Sequence, residues 1–354
     1  GNKGDPEMNV ELMEALSALE KEKGISRETL FQAIENSLVK ACENHFGKAD
    51  NVKVSIDRET GDYELYRELA VVDAVEDKDT QISLEEAVKI DPKYQTGDIV
   101  RQYVESRSFG RIATQNAKNV ILQKIREEER KSAFNYFYER EKDIVTGIVQ
   151  RYNGRNISID LGKTDAVLTE AEQVPGEFLR PTEHVKLYIV EVRDTAKGPK
   201  VTVSRTHKDL VKRLFEYEVT EVSEGIVEIM SISREPGSRT KIAVRSNDPD
   251  VDPVGACVGK NGERVNAIVE ELRGEKIDII KWNDDPAVLI ENALSPSKVV
   301  SVEVDEDEKT ASVIVPDYQL SLAIGKDGQN ARLGARLTGY KIDIRSESQA
   351  AGDI

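Results

Sequence analysis

The chain has 354 residues, enough for two to four domains of roughly 100 to 200 residues each, so one large core is excluded. Its 50 Lys and Arg against 66 Asp and Glu give a net charge of −16, which repels nucleic acid if spread evenly. Hydrophobic residues at 38% and charged residues at 33%, with no apolar run near the roughly 20 residues that cross a bilayer, fit a soluble globular protein and exclude a disordered or membrane class. Cys42 and Cys257 lie in apolar helical patterns, so a reducing, cytoplasmic setting is expected rather than a disulfide framework. With His45, His184 and His207 scattered and no CxxC pair, neither a metal site nor a cofactor is expected.

Gly1 to Glu7 precede Met8 and read as residues added ahead of the natural start, outside the fold. From Asn9 to Phe46, Leu12, Leu16 and Leu19, then Leu30, Ile34, Leu38 and Ala41, recur at three and four and predict two helices, the second starting at Ser26. Val52 to Ile56 and Tyr63 to Val75 alternate as strands about the turn Thr60-Gly61-Asp62. A helix is predicted from Gly110 to about Lys142, with Ile112, Val120, Ile121 and Ile125 as its apolar stripe and Arg111, Lys118 and Lys124 as its charge. Five short strands follow: Ile144 to Gln150, Asn156 to Leu161, Thr164 to Leu168, Val185 to Val192 and Lys200 to Ser204. They suit a small closed barrel of the OB type, with Tyr152 and Tyr188 either the aromatics available to its surface or, on an equal footing, part of its core or rim packing.

Charge is uneven along this order. Residues 1–100 hold 12 basic and 23 acidic groups (net −11), and residues 101–142 hold 10 and 6 (net +4). Residues 143–205 balance at 9 and 9, residues 206–283 hold 12 and 15, and residues 284–354 hold 7 and 13, much of the last excess at Asp305 to Glu308. The sign change near residue 100 says more about partners than the total does.

The last third is duplicated. Val258-Gly-Lys-Asn-Gly-Glu-Arg-Val and Ile324-Gly-Lys-Asp-Gly-Gln-Asn-Ala are each followed by an amphipathic stretch, a Gly at 274 or 339, and Lys-Ile-Asp-Ile from 276 or 341. The offset is 325 − 259 = 66 at the glycines. Each copy reads as helix, strand, strand, helix, helix, strand. A Gly-x-x-Gly alone is worthless, since 23 glycines in this chain give on the order of one chance match; its placement between two helices in both copies is what counts. That is the layout of a KH unit, in which glycines let phosphates approach the backbone at a helix N-terminus. Gly259, Lys260, Asn261 and Gly262, with Arg264 behind them, and Gly325, Lys326, Asp327 and Gly328, with Arg332, are the RNA-binding candidates. Asp327 opposes its neighbouring lysine, so the first loop is expected to grip the more strongly.

With Phe109-Gly-Arg-Ile-Ala-Thr-Gln-Asn-Ala-Lys-Asn-Val-Ile, Asn156-Ile-Ser-Ile-Asp-Leu-Gly, Asp252-Pro-Val-Gly-Ala-Cys-Val-Gly and Ala323-Ile-Gly-Lys-Asp-Gly-Gln-Asn-Ala-Arg-Leu in this order, the chain resembles the NusA family of bacterial transcription elongation factors over nearly all of residues 8–346. The resemblance implies a multidomain α+β protein: an RNA polymerase-binding, helix-rich α/β domain at 8–142, a five-stranded OB-fold barrel of the S-one type at 143–205, tandem type II KH domains at 206–283 and 284–346, and a tail at 347–354. It implies docking on RNA polymerase near the flap and RNA exit channel, a hold on nascent single-stranded and hairpin RNA, and roles in pausing, intrinsic termination and antitermination, without catalysis. Arg111, Gln115, Lys118 and Lys124 are its candidates for hairpin RNA contact. Tyr152, Arg155 and Lys163 are barrel candidates chosen for nearness to the usual OB binding face. Trp282 is assigned to packing between the KH units. Other Nus factors are further partners on this reading, and the chain is expected to be a monomer away from membranes.

The alternative class is an RNA-processing protein of the exoribonuclease-associated or ribosome-associated kind, since KH and S-one type units occur together there as well. The barrel here precedes the KH units, residues 8–142 are too few for such a catalytic core, and no nucleophile or paired-carboxylate motif stands out. Acidic pairs such as Asp284-Asp285 are ordinary helix-start residues.

Overall fold

A computed structural model describes residues 6–46, 52–103 and 107–352. The chain divides into two compact units, residues 1–132 and 133–354. In the first unit, helices α1 (Pro6–Lys23) and α2 (Arg27–Phe46) precede strands β1 (Val52–Ile56) and β2 (Tyr63–Val72). Then come β3 (Gln81–Ser83), α3 (Leu84–Ile90), β4 (Ile99–Tyr103) and the long α4 (Arg107–Tyr138). Strand β2 is central, antiparallel to β1 and β4 and parallel to β3. The core joins Leu16, Leu30, Ile34 and Leu38 to Val54 and Leu65, and to Ala113, Ala117 and Ile121 of α4. In α1 and α2 these are the apolar positions spaced at three and four, whose burial holds marginal helices in place; on α4 the buried line is Ala113, Ala117 and Ile121, with Val120 and Ile125 only partly buried against it and Ile112 outside this core. Residues 1–5 of the stretch set aside ahead of Met8 lie outside the described residues, but α1 already begins at Pro6. The alternating pattern hid β3, α3 and β4, whose residues are short and largely exposed.

The second unit starts within α4. Phe137 is fully buried in the barrel core, with Phe134 and Tyr136 packed against it. The barrel strands are β5 (Ile144–Asn153), β6 (Asn156–Asp160), β7 (Asp165–Leu168), β8 (His184–Thr195) and β9 (Gly198–Ser204), in the antiparallel order β7-β6-β5-β8-β9. Contacts between β7 and β9 nearly close the barrel. The first repeat holds α5 (Lys208–Glu218), α6 (Thr220–Ser223), β10 (Val227–Glu235), β11 (Arg239–Ser246), α7 (Pro253–Val258), α8 (Glu263–Glu271) and β12 (Lys276–Lys281). The second holds α9 (Pro286–Ala293), β13 (Ser301–Asp305), β14 (Thr310–Val315), α10 (Leu320–Ile324), α11 (Gln329–Thr338), β15 (Lys341–Ser346) and α12 (Glu347–Gly352). In each repeat the middle strand pairs antiparallel with the first and parallel with the last, the type II arrangement.

A buried arginine joins the barrel to the first repeat. Arg205, fully buried, uses all five of its N–H donors: two bonds of 2.9 Å to the Glu177 carboxylate, one of 2.9 Å to the Lys186 carbonyl, and bonds of 3.0 Å to the Glu271 carboxylate and carbonyl. Burial draws its pKa down most strongly, but Glu177 and Glu271 outweigh it and hold the guanidinium above its ordinary value. Next to it Tyr188 lies in the core of the joint with its ring 4.5 Å from that of His207, so of the two readings open to it packing holds and a surface role does not. Strand β8 faces the first repeat at that point, and a single-strand pattern cannot show a second layer.

The repeats are joined as firmly. Lys241, fully buried, donates to Asp278 at 2.8 Å and to the Ser295 carbonyl at 2.7 Å. Burial lowers its pKa, against the pull of Asp278. Ser231 donates to the Leu337 carbonyl at 2.8 Å, and Trp282 packs with Ala243, Ile280, Leu289, Ala293 and Leu337 between the two repeats, as expected for it.

Arg205→Ala leaves Glu177, 4% exposed, without its partner and is expected to cost about 3–5 kcal/mol. Arg273→Ala removes only a partly exposed pair with Glu183 and should cost under about 1 kcal/mol. Urea denaturation of the whole chain measures both.

Candidate nucleic-acid interface

The two glycine loops have the same backbone. Gly259 and Gly325 sit at φ/ψ of 79/172° and 78/168°, Asn261 and Asp327 at 58/26° and 55/26°, and Gly262 and Gly328 at 74/13° and 76/11°. Left-handed φ at three of four positions explains two glycines with an Asn or Asp between them, the non-glycine residues that accept this region best. A Cβ on Gly259 would lie 2.8 Å from Arg264 Cγ, and one on Gly325 2.7 Å from the Asn330 amide nitrogen. These two positions are fixed by close packing as well as by φ. No side chain caps α8 or α11; the Glu263 and Gln329 N–H groups turn back to the Lys260 and Lys326 carbonyls, so each helix starts directly out of its loop. Lys260 and Lys326 are exposed and carry no ion pair among the described residues. A glycine loop at a helix start with one exposed cation beside it can cradle a phosphodiester without a basic bulk composition.

The two arginines have other work. Arg264 donates to the Ala256 carbonyl at 2.8 Å and to Glu221 at 2.5 Å, closing the first loop from beneath. Its counterpart at the offset of 66 is Asn330, since 330 − 264 = 66, and not Arg332. Asn330, nearly fully buried, donates to the carbonyls of Ala323 and Leu294 at 2.9 and 3.1 Å. Arg332 reaches back over the second loop to the Asp327 carbonyl at 2.8 Å and pairs with Glu235 of β10 at 2.6 Å. It therefore ties the second loop to the first repeat, holding Glu235 below the ordinary carboxylate range. Nothing in the spacing announced that tie, because Glu235 lies 97 positions away.

On α4, Arg111, Gln115 and Lys118 are exposed along one face, with Gln115 donating to Asn119 at 3.1 Å. Lys118 also borders a groove of about 300 Å³ between α1 and α4, lined by Leu12, Ala15, Ala117, Ile121 and Leu122. Lys124 stands apart: it follows Lys118 by six positions, about 240° around the helix, and is paired with Glu127 at 3.2 Å.

The barrel candidates do not form one cluster. Tyr152 is half-buried, its hydroxyl oxygen accepts from the Leu179 amide at 3.1 Å, and its ring is covered by Phe178. Lys163 places its ammonium 4.7 Å from the Tyr136 ring centre, while Arg155 extends into solvent with a 3.4 Å contact to Glu170. No hydrogen bond or ion pair joins these residues to either glycine loop among the described residues.

Residues 11–131 match the NusA N-terminal domain, residues 205–282 the NusA-like first KH domain, and residues 286–352 the NusA-like second KH domain. The transcription termination/antitermination protein NusA of Bacillus subtilis (strain 168) is 54% identical over 343 residues, covering 97% of this chain and 92% of its own. The chain belongs to the NusA family. The NusA of Halalkalibacterium halodurans is likewise 54% identical, over 97% of this chain and 90% of its own length, and that of Thermus thermophilus is 41% identical over 98% and 92%. As a member of this family, the chain is a transcription termination/antitermination factor with two KH RNA-binding domains and an OB-like barrel.

Gly325→Ala forces both a disfavoured φ and a 2.7 Å backbone contact, whereas a Cβ on Gly328 meets nothing nearer than 3.6 Å. Gly325→Ala is therefore expected to cost about 1–3 kcal/mol more than Gly328→Ala in thermal unfolding.

Proposed function

We propose that this chain docks on RNA polymerase near the flap and RNA exit channel through its N-terminal domain and holds emerging RNA on its KH loops, acting on pausing, intrinsic termination and antitermination by binding rather than catalysis. The observation that carries the RNA part is the pair of loops with one backbone geometry, each with an exposed lysine and leading straight into a helix that no side chain caps, set in a single compact unit. The phosphates of a single strand lie against Gly259 to Gly262 and Gly325 to Gly328, with Lys260 and Lys326 as point charges. Arg264 and Arg332 act on this strand indirectly, by keeping the loops in shape.

Arg111, Gln115 and Lys118 present one polar, cationic face for hairpin RNA leaving the polymerase. Lys124, on a different face and already paired, contributes less. Arg155 and Lys163 add positive charge on the barrel. The acidic excess of residues 1–100 suits a meeting with a basic protein surface, and the chain acts as a monomer on the polymerase, open to other Nus factors.

Replacing Lys260 and Asn261 by Asp should weaken binding of single-stranded RNA more than Lys326→Asp, because Asp327 already offsets Lys326; equal losses in fluorescence anisotropy would refute the ranking. Arg111→Ala with Lys118→Ala is expected to shorten hairpin pauses in a defined transcription assay while leaving co-migration with core polymerase intact. Loss of co-migration in the double variant rules out the role given to this face.

A further inference from the structure

We infer that Phe178, in the loop between β7 and β8, is a stacking platform for a nucleobase of single-stranded RNA and carries the aromatic role for which Tyr152 was the sequence candidate. Phe178 is 65% exposed, unusual for a phenylalanine. It is not a loose side chain. Its ring lies parallel to that of Tyr152, with centroids 5.6 Å apart and planes 8° from parallel. The Tyr152 hydroxyl accepts from the Leu179 amide at 3.1 Å, which holds the lower ring in place.

The backbone on either side is fixed too. Glu177 is clamped by two bonds to the buried Arg205, and Leu179 is in the barrel core. Three consecutive residues thus point to an ion pair, to solvent and to the core in turn. The Phe178 ring lies offset and parallel beside Tyr152, and the ring as a whole remains open to solvent.

A flat exposed ring braced by an offset parallel neighbour suits a flat, sequence-tolerant partner, and stacking on aromatic rings is how single strands gain affinity beyond their phosphates. Two cations lie close in sequence: Arg155, largely in solvent with one 3.4 Å contact to Glu170, in the turn after β5, and Arg180, exposed, two residues beyond Phe178, with its amide donating to Glu183. The barrel and the KH loops belong to one compact unit joined through Arg205, so a strand on the loops and a base on Phe178 are held by one body. This inference rests on the RNA-binding reading above.

The deciding experiment is fluorescence anisotropy of a labelled single-stranded oligouridine RNA with the full chain and its Phe178→Ala, Phe178→Leu and Phe178→Trp variants, across a salt series. Alanine and leucine should each weaken binding by roughly 5-fold or more, and tryptophan should retain it, with the salt dependence unchanged because no phosphate contact is lost. The Lys260/Asn261 double Asp variant should instead flatten the salt dependence. Should Phe178→Ala fold poorly by circular dichroism, Phe178→Leu, which keeps the apolar contact with Tyr152 and loses only the ring, decides. Leucine binding as tightly as phenylalanine overturns the platform. If Phe178→Leu binds normally while the loop variant fails, the RNA reading stands and the patch is assigned to a protein contact; if the unsubstituted chain does not bind, both fall.

Discussion

Arg205 is the fixed point of residues 133–354. A guanidinium in a dry interior is tolerated only when every donor finds an acceptor, and here the acceptors come from the barrel loop at Glu177, the β8 carbonyl at Lys186 and the end of α8 at Glu271. Such an ion pair adds little stability over a well-packed apolar joint. What it adds is orientation: five directed bonds admit one docking of barrel on repeat, where a greasy contact would admit several. Lys241, with Asp278 and the Ser295 carbonyl, repeats the device between the two KH units. The glycine loops are exposed, but the frame that carries them is specified from inside.

Much of this was legible from residue order. The helices of the first unit and the barrel strands show in apolar period, and the duplicated units in the offset of 66, because local hydrophobic spacing is dictated by local structure. The loop positions followed from glycines whose left-handed angles leave few substitutes. Less legible were features set by partners far along the chain. Tyr188 reads like any strand aromatic and is buried because α5 covers it; Arg264 and Arg332 read like phosphate ligands and are engaged by Glu221 and Glu235. Phe178, in a loop without periodicity, carried no signal at all. The offset of 66 makes Asn330 the equivalent of Arg264, although residue type alone would pair Arg264 with Arg332.

Net charge gives a similar lesson. The value of −16 describes an average over surfaces with different tasks, and the groups that would meet RNA are few, cationic and placed where the backbone itself supplies donors. Many of the arginines of the KH units are already neutralised by carboxylates, so counting them overstates the field outside.

The tie from Arg332 to Glu235 turns two loops into a ruler. Because the second loop is bolted to the first repeat as well as to its own, the interval between the two cradles is settled during folding and does not have to be found anew by each strand that binds. A ligand too short to bridge that interval meets one cradle only, whereas a longer one gains the second at the effective concentration of an intramolecular contact. Affinity should then rise in a step with oligonucleotide length rather than smoothly, and the length at the step is a property of the protein and not of the RNA sequence.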